Sequence, residues 1–239
     1  MARPLEAVYR KYAAHARALH RIDARAHDAQ ALQELAPLGV GVLPWTEFSM
    51  RPAVISAIVS DIIINERQRI FECGSGNSTV FVARLLAQLG EGRIVSFEHD
   101  EMWAALTGRL LAQEGLDGLA TVVHAPLIDG WYGVRPLEAE RIDLLVVDGP
   151  PARVEESGQD RYPALPFFFD SLAPGAAVFL DDAQRPGEQA VLARWESDYG
   201  LRFTRRRGSF ATATKSRPRS PARPRFTPRP TERRRGAYN

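Results

Sequence analysis

Two groups of residues in this 239-residue chain are of a kind and spacing that can do chemistry. The first is Phe71-Glu72-Cys73-Gly74-Ser75-Gly76-Asn77-Ser78-Thr79, a glycine turn between apolar Ile70-Phe71 and a helix-like stretch from Ser78. Gly74 and Gly76 let the backbone approach a ligand, and a helix opening near Ser78 aims free N–H groups at it. A second apolar run, Ile94-Val95-Ser96-Phe97, ends in Glu98, 22 residues after Gly76. A carboxylate at that spacing accepts the two ribose hydroxyls of an adenosine cofactor. The second group is Asp148, Asp181 and Asp182, which close the runs Leu144-Leu145-Val146-Val147 and Ala177-Val178-Phe179-Leu180. Strand ends that neighbour each other in an open α/β sheet converge on one place, so these carboxylates meet where a general base would work.

The elements that must hold these groups read as strands alternating with helices. Short strands are expected at 70–73, 93–98, 120–124, 142–148 and 176–180, and helices at 51–65, 78–89, 101–114, 162–172 and 187–199. Ser49 ahead of Arg51-Pro52 fits a helix start. Alternation of this kind implies a doubly wound, Rossmann-like, mostly parallel sheet of seven strands. Leu201–Arg206 and Ser209–Thr214, joined by Arg207-Gly208, break it and read as an antiparallel C-terminal hairpin. Ahead of the core, residues 4–36 read as N-terminal helices, with Leu5, Val8, Tyr9, Tyr12, Ala16 and Leu19 at helical spacing. The expected organisation is a helical cap at 1–39, a catalytic domain at 40–214 and a disordered Arg/Pro-rich tail at 215–239.

Bulk composition narrows the setting. Residues 215–239 hold nine basic side chains against Glu232 alone, +8, so of the net +2 the other 214 residues carry −6. The basic pI of 8.9 therefore belongs to the tail, and nucleic acid has a foothold only there. One cysteine, Cys73, excludes an intrachain disulfide framework and a multi-thiolate zinc site. No apolar run reaches membrane-spanning or signal-peptide length, so the expected setting is the cytoplasm, with no membrane partner. Oligomeric state is not legible.

The choice of cofactor turns on charge. S-adenosylmethionine carries an amino group and a sulfonium where a dinucleotide carries pyrophosphate, so an acid at Glu72 suits its cationic methionine end. The third glycine of the dinucleotide fingerprint is also missing, with Ser78 and Thr79 in that region. Both features count against NAD.

With these elements in order, residues 40–214 resemble a class I S-adenosylmethionine-dependent methyltransferase, most similar to catechol-type and macrolide-sugar O-methyltransferases. The resemblance implies that Glu72, Gly74, Ser75, Gly76, Asn77, Ser78 and Glu98 bind the cofactor, with His99 and Ala125 beside the adenine and Asp148 near the methionine amino group. It further implies a magnesium ion on Asp148, Asp181 and Asp182, with Asp182 in place of the usual Asn, and catalysis by Asp148 and Asp181 on a hydroxyl of a small-molecule acceptor. Against the metal stand a general-base role for Asp148 and a turn-capping role for Asp181 or Asp182. The catechol-type lysine has no counterpart in 150–162, where Arg153 and Arg161 are the available cations. Thr46 and Ser49 are placed to touch the methionine carboxylate, and Trp131 and Tyr132 to wall an acceptor pocket. Two other readings stay open: a nucleic-acid or protein methyltransferase recruited by the tail, and a non-catalytic adenosine-binding protein of the same fold.

Overall fold

The structure, a computed structural model, describes residues 23–39, 41–134, 141–151, 158–206 and 209–216. The expected first helix, the Arg207-Gly208 turn, Arg153 and the Arg/Pro-rich stretch from 217 lie outside the described residues.

Chain order is α1 (23–35), α2 (Pro52–Asn65), β1 (Arg69–Cys73), α3 (Asn77–Leu89), β2 (Arg93–Glu98), α4 (Glu101–Gln113), β3 (Ala120–His124), β4 (Leu127–Ile128), β5 (Trp131–Tyr132), β6 (Ile142–Val147), α5 (Ala164–Phe168), β7 (Leu172–Leu180), α6 (Pro186–Tyr199), β8 (Thr204–Arg206) and β9 (Phe210–Thr214). Seven strands form one sheet in the order β3-β2-β1-β6-β7-β9-β8, parallel except for the antiparallel β7·β9 and β9·β8 pairs. The expected fold class is observed.

Both sheet faces are covered, which explains why the central strands read as unbroken apolar runs. Ile70, Leu144, Val146 and Phe179 pack under α2 and α3, whereas Phe71, Leu145, Val147 and Val178 pack under α5 and α6. Strand order reverses between β1 and β6, which pair from Ile70↔Leu144 to Cys73↔Val147. Ligands of open α/β sheets bind outside the carboxyl ends at such a reversal. Asp148 hydrogen-bonds there through its N–H to the Cys73 carbonyl at 3.0 Å.

Four local differences from expectation have physical causes. β7 starts at Leu172 rather than Ala176, because Gly175, at φ +90°, is accommodated where the β6·β7 register shifts between Ile142 and Leu144. The helix expected at 162–172 begins only at Ala164, since Pro166 has no N–H to give the Tyr162 carbonyl, which Trp195 Nε1 takes instead, and it passes into a 3-10 turn at Phe169–Ser171. Arg51, and not Ser49, is the N-cap of α2; the Ser49 hydroxyl instead accepts the Thr46 N–H at 2.9 Å in a local turn. The β4–β5 hairpin, too short for any period to show, is an addition.

Candidate active site

Strand alternation decides where Glu72 points. Ile70 faces α2 and α3, so Glu72, two residues on, does too, beneath the first turn of α3. Its carboxylate, 1% exposed, accepts the hydroxyls of Ser78, Thr79 and Ser96. The expectation that Glu72 faces the cationic end of the cofactor is thereby corrected: it holds the loop from below. Ser78, expected in the ligand cradle, likewise spends its hydroxyl on Glu72, and Asn77 donates its amide to the Pro44 carbonyl at 3.1 Å. Thr79 closes the turn by accepting the Gly76 N–H at 3.1 Å.

Burial pushes the Glu72 carboxyl up from 4.5 to about 7, against the three hydroxyl donors that pull it down. The native protein thus holds this proton up to about pH 7, while the unfolded chain releases it near 4.5. The stabilisation is complete below the lower value and is lost as pH rises through the upper one, about 3 kcal/mol in all. Urea unfolding between pH 5 and pH 8 should therefore show wild type losing about 2–3 kcal/mol more than Glu72→Gln. Parallel stability profiles for the two proteins would contradict this.

The loop itself is open to a ligand on its upper side. Gly74, at φ +90°, packs its backbone against Gly149, where a Cβ would come 3.2 Å from the Gly149 nitrogen. Among the described residues, a Cβ on Gly76 would meet nothing within 4 Å, so that position borders free space there. Glu98, 4% exposed at the end of β2, accepts the Ser75 N–H at 2.8 Å through Oε2 and the Asp100 N–H at 2.9 Å through Oε1. His99 Nδ1 lies 2.9 Å from Glu98 Oε1, and the Ala125 N–H bonds the Glu98 carbonyl at 2.7 Å. Asp100 caps α4 by accepting the Trp103 N–H, which leaves Glu98 for the loop. Ser75, Gly76, Glu98, His99 and Ala125 therefore share one corner.

Across Gly149 from this corner lie the three aspartates. One carboxylate oxygen of each of Asp148, Asp181 and Asp182 falls within 4.8 Å of the others, so the trio meets as expected. What the residue pattern did not place is the cation among them. Arg161, 3% exposed, sets Nη2 3.3 Å from both Asp148 Oδ1 and Asp182 Oδ2, and Nη1 3.8 Å from Glu188 Oε1. Its Nη1 also donates to the Asp181 carbonyl at 3.1 Å, and Arg185 Nη1 lies 2.8 Å from Asp182 Oδ2. Burial raises the Asp148 carboxyl, with Asp182 adding to the rise and Arg161 and Arg185 opposing it. Asp181 is raised well above the ordinary range, by burial first and then by the other two aspartates. An acid displaced upward in this way is a stronger base near neutrality than a solvated carboxylate.

The aromatic pair expected to wall a pocket is split in role. Tyr132 is buried with its hydroxyl against Gly149, and its ring lies 6.0 Å from Phe97. Trp131 packs edge-on to Tyr132 at 5.0 Å and remains partly exposed.

Residues 71–183 match the family model of a methyltransferase domain. No curated protein matches the sequence. Among solved structures, the SAH-bound methyltransferase PaMTH1 of Podospora anserina aligns with a TM-score of 0.60 at 13% identity, over 87% of this chain and 96% of that one. An O-methyltransferase of Bacillus cereus in complex with SAH aligns at 0.52 and 16%, over 80% and 91%. TomG of Streptomyces achromogenes, an O-methyltransferase involved in tomaymycin synthesis, aligns at 0.52 and 18%, over 80% and 89%. At these identities the likeness shows a shared fold.

Proposed function

We propose, from the match of residues 71–183 to the family model of a methyltransferase domain, that this chain moves the methyl group of S-adenosylmethionine to a hydroxyl oxygen of a small molecule. The observation that carries the reading is the adjacency of two half-sites across Gly149: the Gly74–Gly76 loop closed on Glu98, and the half-buried Asp148 at the neighbouring strand end. The solved O-methyltransferases of Bacillus cereus and Streptomyces achromogenes, described with SAH and SAM, support the same cofactor. The free space over Gly76 and the carboxylate of Glu98 fit an adenosine ligand on this chain's own geometry. When bound, S-adenosylmethionine supplies an electrophilic methyl on a cationic sulfur that leaves as a neutral thioether.

Each residue then has a stated task. Glu98 accepts the ribose hydroxyls, with His99 and the Ala125 backbone beside the adenine. Gly74, Ser75 and Gly76 keep side chains out of the cofactor's path. Asn77 and Ser78 shape the loop through Pro44 and Glu72. Asp148 takes the acceptor's proton as the oxygen attacks, and Asp181, more deeply buried, keeps that carboxylate in place. The magnesium ion implied by the resemblance does not fit this donor set, because two guanidinium groups already engage the Asp148 and Asp182 oxygens it would need. The catalytic unit is taken as residues 40–214, as the residue pattern suggests. Among the described residues no helix is long and apolar enough to cross a membrane.

Calorimetry tests the cofactor. S-adenosylmethionine should bind and NAD should not, and Glu98→Ala should weaken the former about 10- to 100-fold, the cost of charge-assisted hydrogen bonds. Preference for NAD would overturn the reading. Undiminished binding by a folded Glu98→Ala would remove the ribose contact.

A further inference from the structure

We propose that Arg161 is the built-in counter-cation of the aspartate cluster, occupying the place a divalent ion would take, so that Asp148, Asp181 and Asp182 work without a metal.

The guanidinium sits inside the cluster. A hard cation bound by these three carboxylates would lie about 2.0–2.6 Å from an oxygen of each. Arg161 Nη2 already stands 3.3 Å from two of those oxygens, Asp148 Oδ1 and Asp182 Oδ2, so an ion between them would be forced against a like charge. The remaining guanidinium nitrogens are committed as well, Nη1 to the Asp181 carbonyl at 3.1 Å and Nε to the Pro150 carbonyl at 3.4 Å. Arg161 thus reads the backbone at the ends of both β6 and β7 together with their side chains, a use of the planar five-donor fork that a metal ligand shell would have to dismantle.

Arg161 is also not free to swing away. The next residue, Tyr162, is held at its carbonyl by Trp195 Nε1 at 2.9 Å and at its hydroxyl by Asp198 at 2.8 Å, and the Arg194 guanidinium lies 3.4 Å over its ring. Trp195 is fully buried. Displacing the backbone at Arg161 would therefore disturb the contacts of Tyr162 with α6.

Charge supports the same conclusion. Where the catechol-type pattern has a neutral Asn, this chain has Asp182, one more negative charge. That extra carboxylate is the one facing two guanidinium groups, Arg161 at 3.3 Å and Arg185 at 2.8 Å. Glu188, a fourth acid and a buried one, also lies 3.8 Å from Arg161. The two arginines offset two of these four acids from within, whereas a site kept for a dication has no use for fixed guanidinium groups in its midst.

The test is a Mn2+ titration of full-length, chelator-treated protein followed by electron paramagnetic resonance, which reads bound ion without reference to activity. Wild type should leave the free Mn2+ signal unchanged up to about millimolar ion, a concentration at which a three-carboxylate site would be filled. Arg161→Ala should take up one Mn2+, and Arg161→Ala/Asp182→Ala should lose it. One Mn2+ bound by wild type, and weakened at least about tenfold by Asp182→Ala, overturns the proposal. So does an Arg161→Ala protein that keeps its circular-dichroism spectrum yet takes up none. Should Arg161→Ala not fold, the wild-type titration alone decides. Because binding is the readout, failure here is distinct from failure of the methyl-transfer reading, which calorimetry tests separately.

Discussion

Replacing Asp148 with Asn should lower kcat for methyl transfer by about 10²- to 10⁴-fold, the range that a positioned general base supplies. The side chain keeps its shape and its place after β6, where the N–H is tied to the Cys73 carbonyl, so acceptor geometry is preserved while the proton acceptor is lost. The corner proposed for the cofactor is built from Ser75, Glu98 and the Gly74–Gly76 backbone, so the dissociation constant of S-adenosylmethionine should change less than about threefold, a pattern that marks an interaction made only in the transition state. Stopped assays with labelled methyl donor and calorimetry on the same preparations measure the two numbers. A kcat within about tenfold of wild type would take the base role away from Asp148. The pH profile gives a second handle. Burial, the first cause of the Asp148 shift, moves its carboxyl upward, so the ascending limb of the rate in wild type should lie above the ordinary carboxylate range and vanish in Asp148→Asn.

Much of this arrangement is visible in the residue pattern because strand ends are marked chemically. Apolar runs closed by Glu72, Glu98, Asp148 and Asp181 give both the strands and the end of the sheet where polar groups gather. β2 and β3 fall on the expected residues, and the closing antiparallel pair distinguishes this sheet from a dinucleotide fold. Direction is where the reading from sequence went astray. Glu72 has the same parity as Ile70, and a strand buried on both faces turns its acid under α3 as readily as an apolar residue would be turned. Parity alone was a usable signal there. It is a local property.

Arg161 is the opposite case. It was visible as one of two available cations between β6 and α5, but nothing in its spacing says that it reaches back to the ends of β6 and β7. The next residue, Tyr162, is held by α6, 25 to 38 residues beyond Arg161 in sequence, through its contact with Trp195. Pairings of such separation are set by tertiary packing and leave no periodic trace. The same holds for Tyr132, whose hydroxyl meets Gly149 only because the β4–β5 hairpin folds over the sheet end.

Trp195 is therefore the position at which packing and chemistry are most tightly joined, and Trp195→Ala should show both. The side chain is fully buried in the cluster with Phe168, Val191 and Leu201, its ring 5.7 Å from Phe203, and it donates to the Tyr162 carbonyl at 2.9 Å. Removing a buried indole costs about 3–5 kcal/mol, which for a chain of this size lowers Tm by about 6–20 °C. Trp195→Phe separates the two contributions, since it keeps most of the ring volume but leaves the Tyr162 carbonyl without its donor. Its stability loss should be about 1–2 kcal/mol, a lost hydrogen bond plus a small void. If Tyr162 is what seats Arg161, the phenylalanine protein should nevertheless lose kcat out of proportion to its stability when assayed well below its Tm, with cofactor affinity intact. Calorimetric melting and initial rates on the two variants decide the matter: a fully active Trp195→Phe would confine Trp195 to the core and leave Arg161 seated by its own contacts to Asp148, Asp182 and the Asp181 carbonyl.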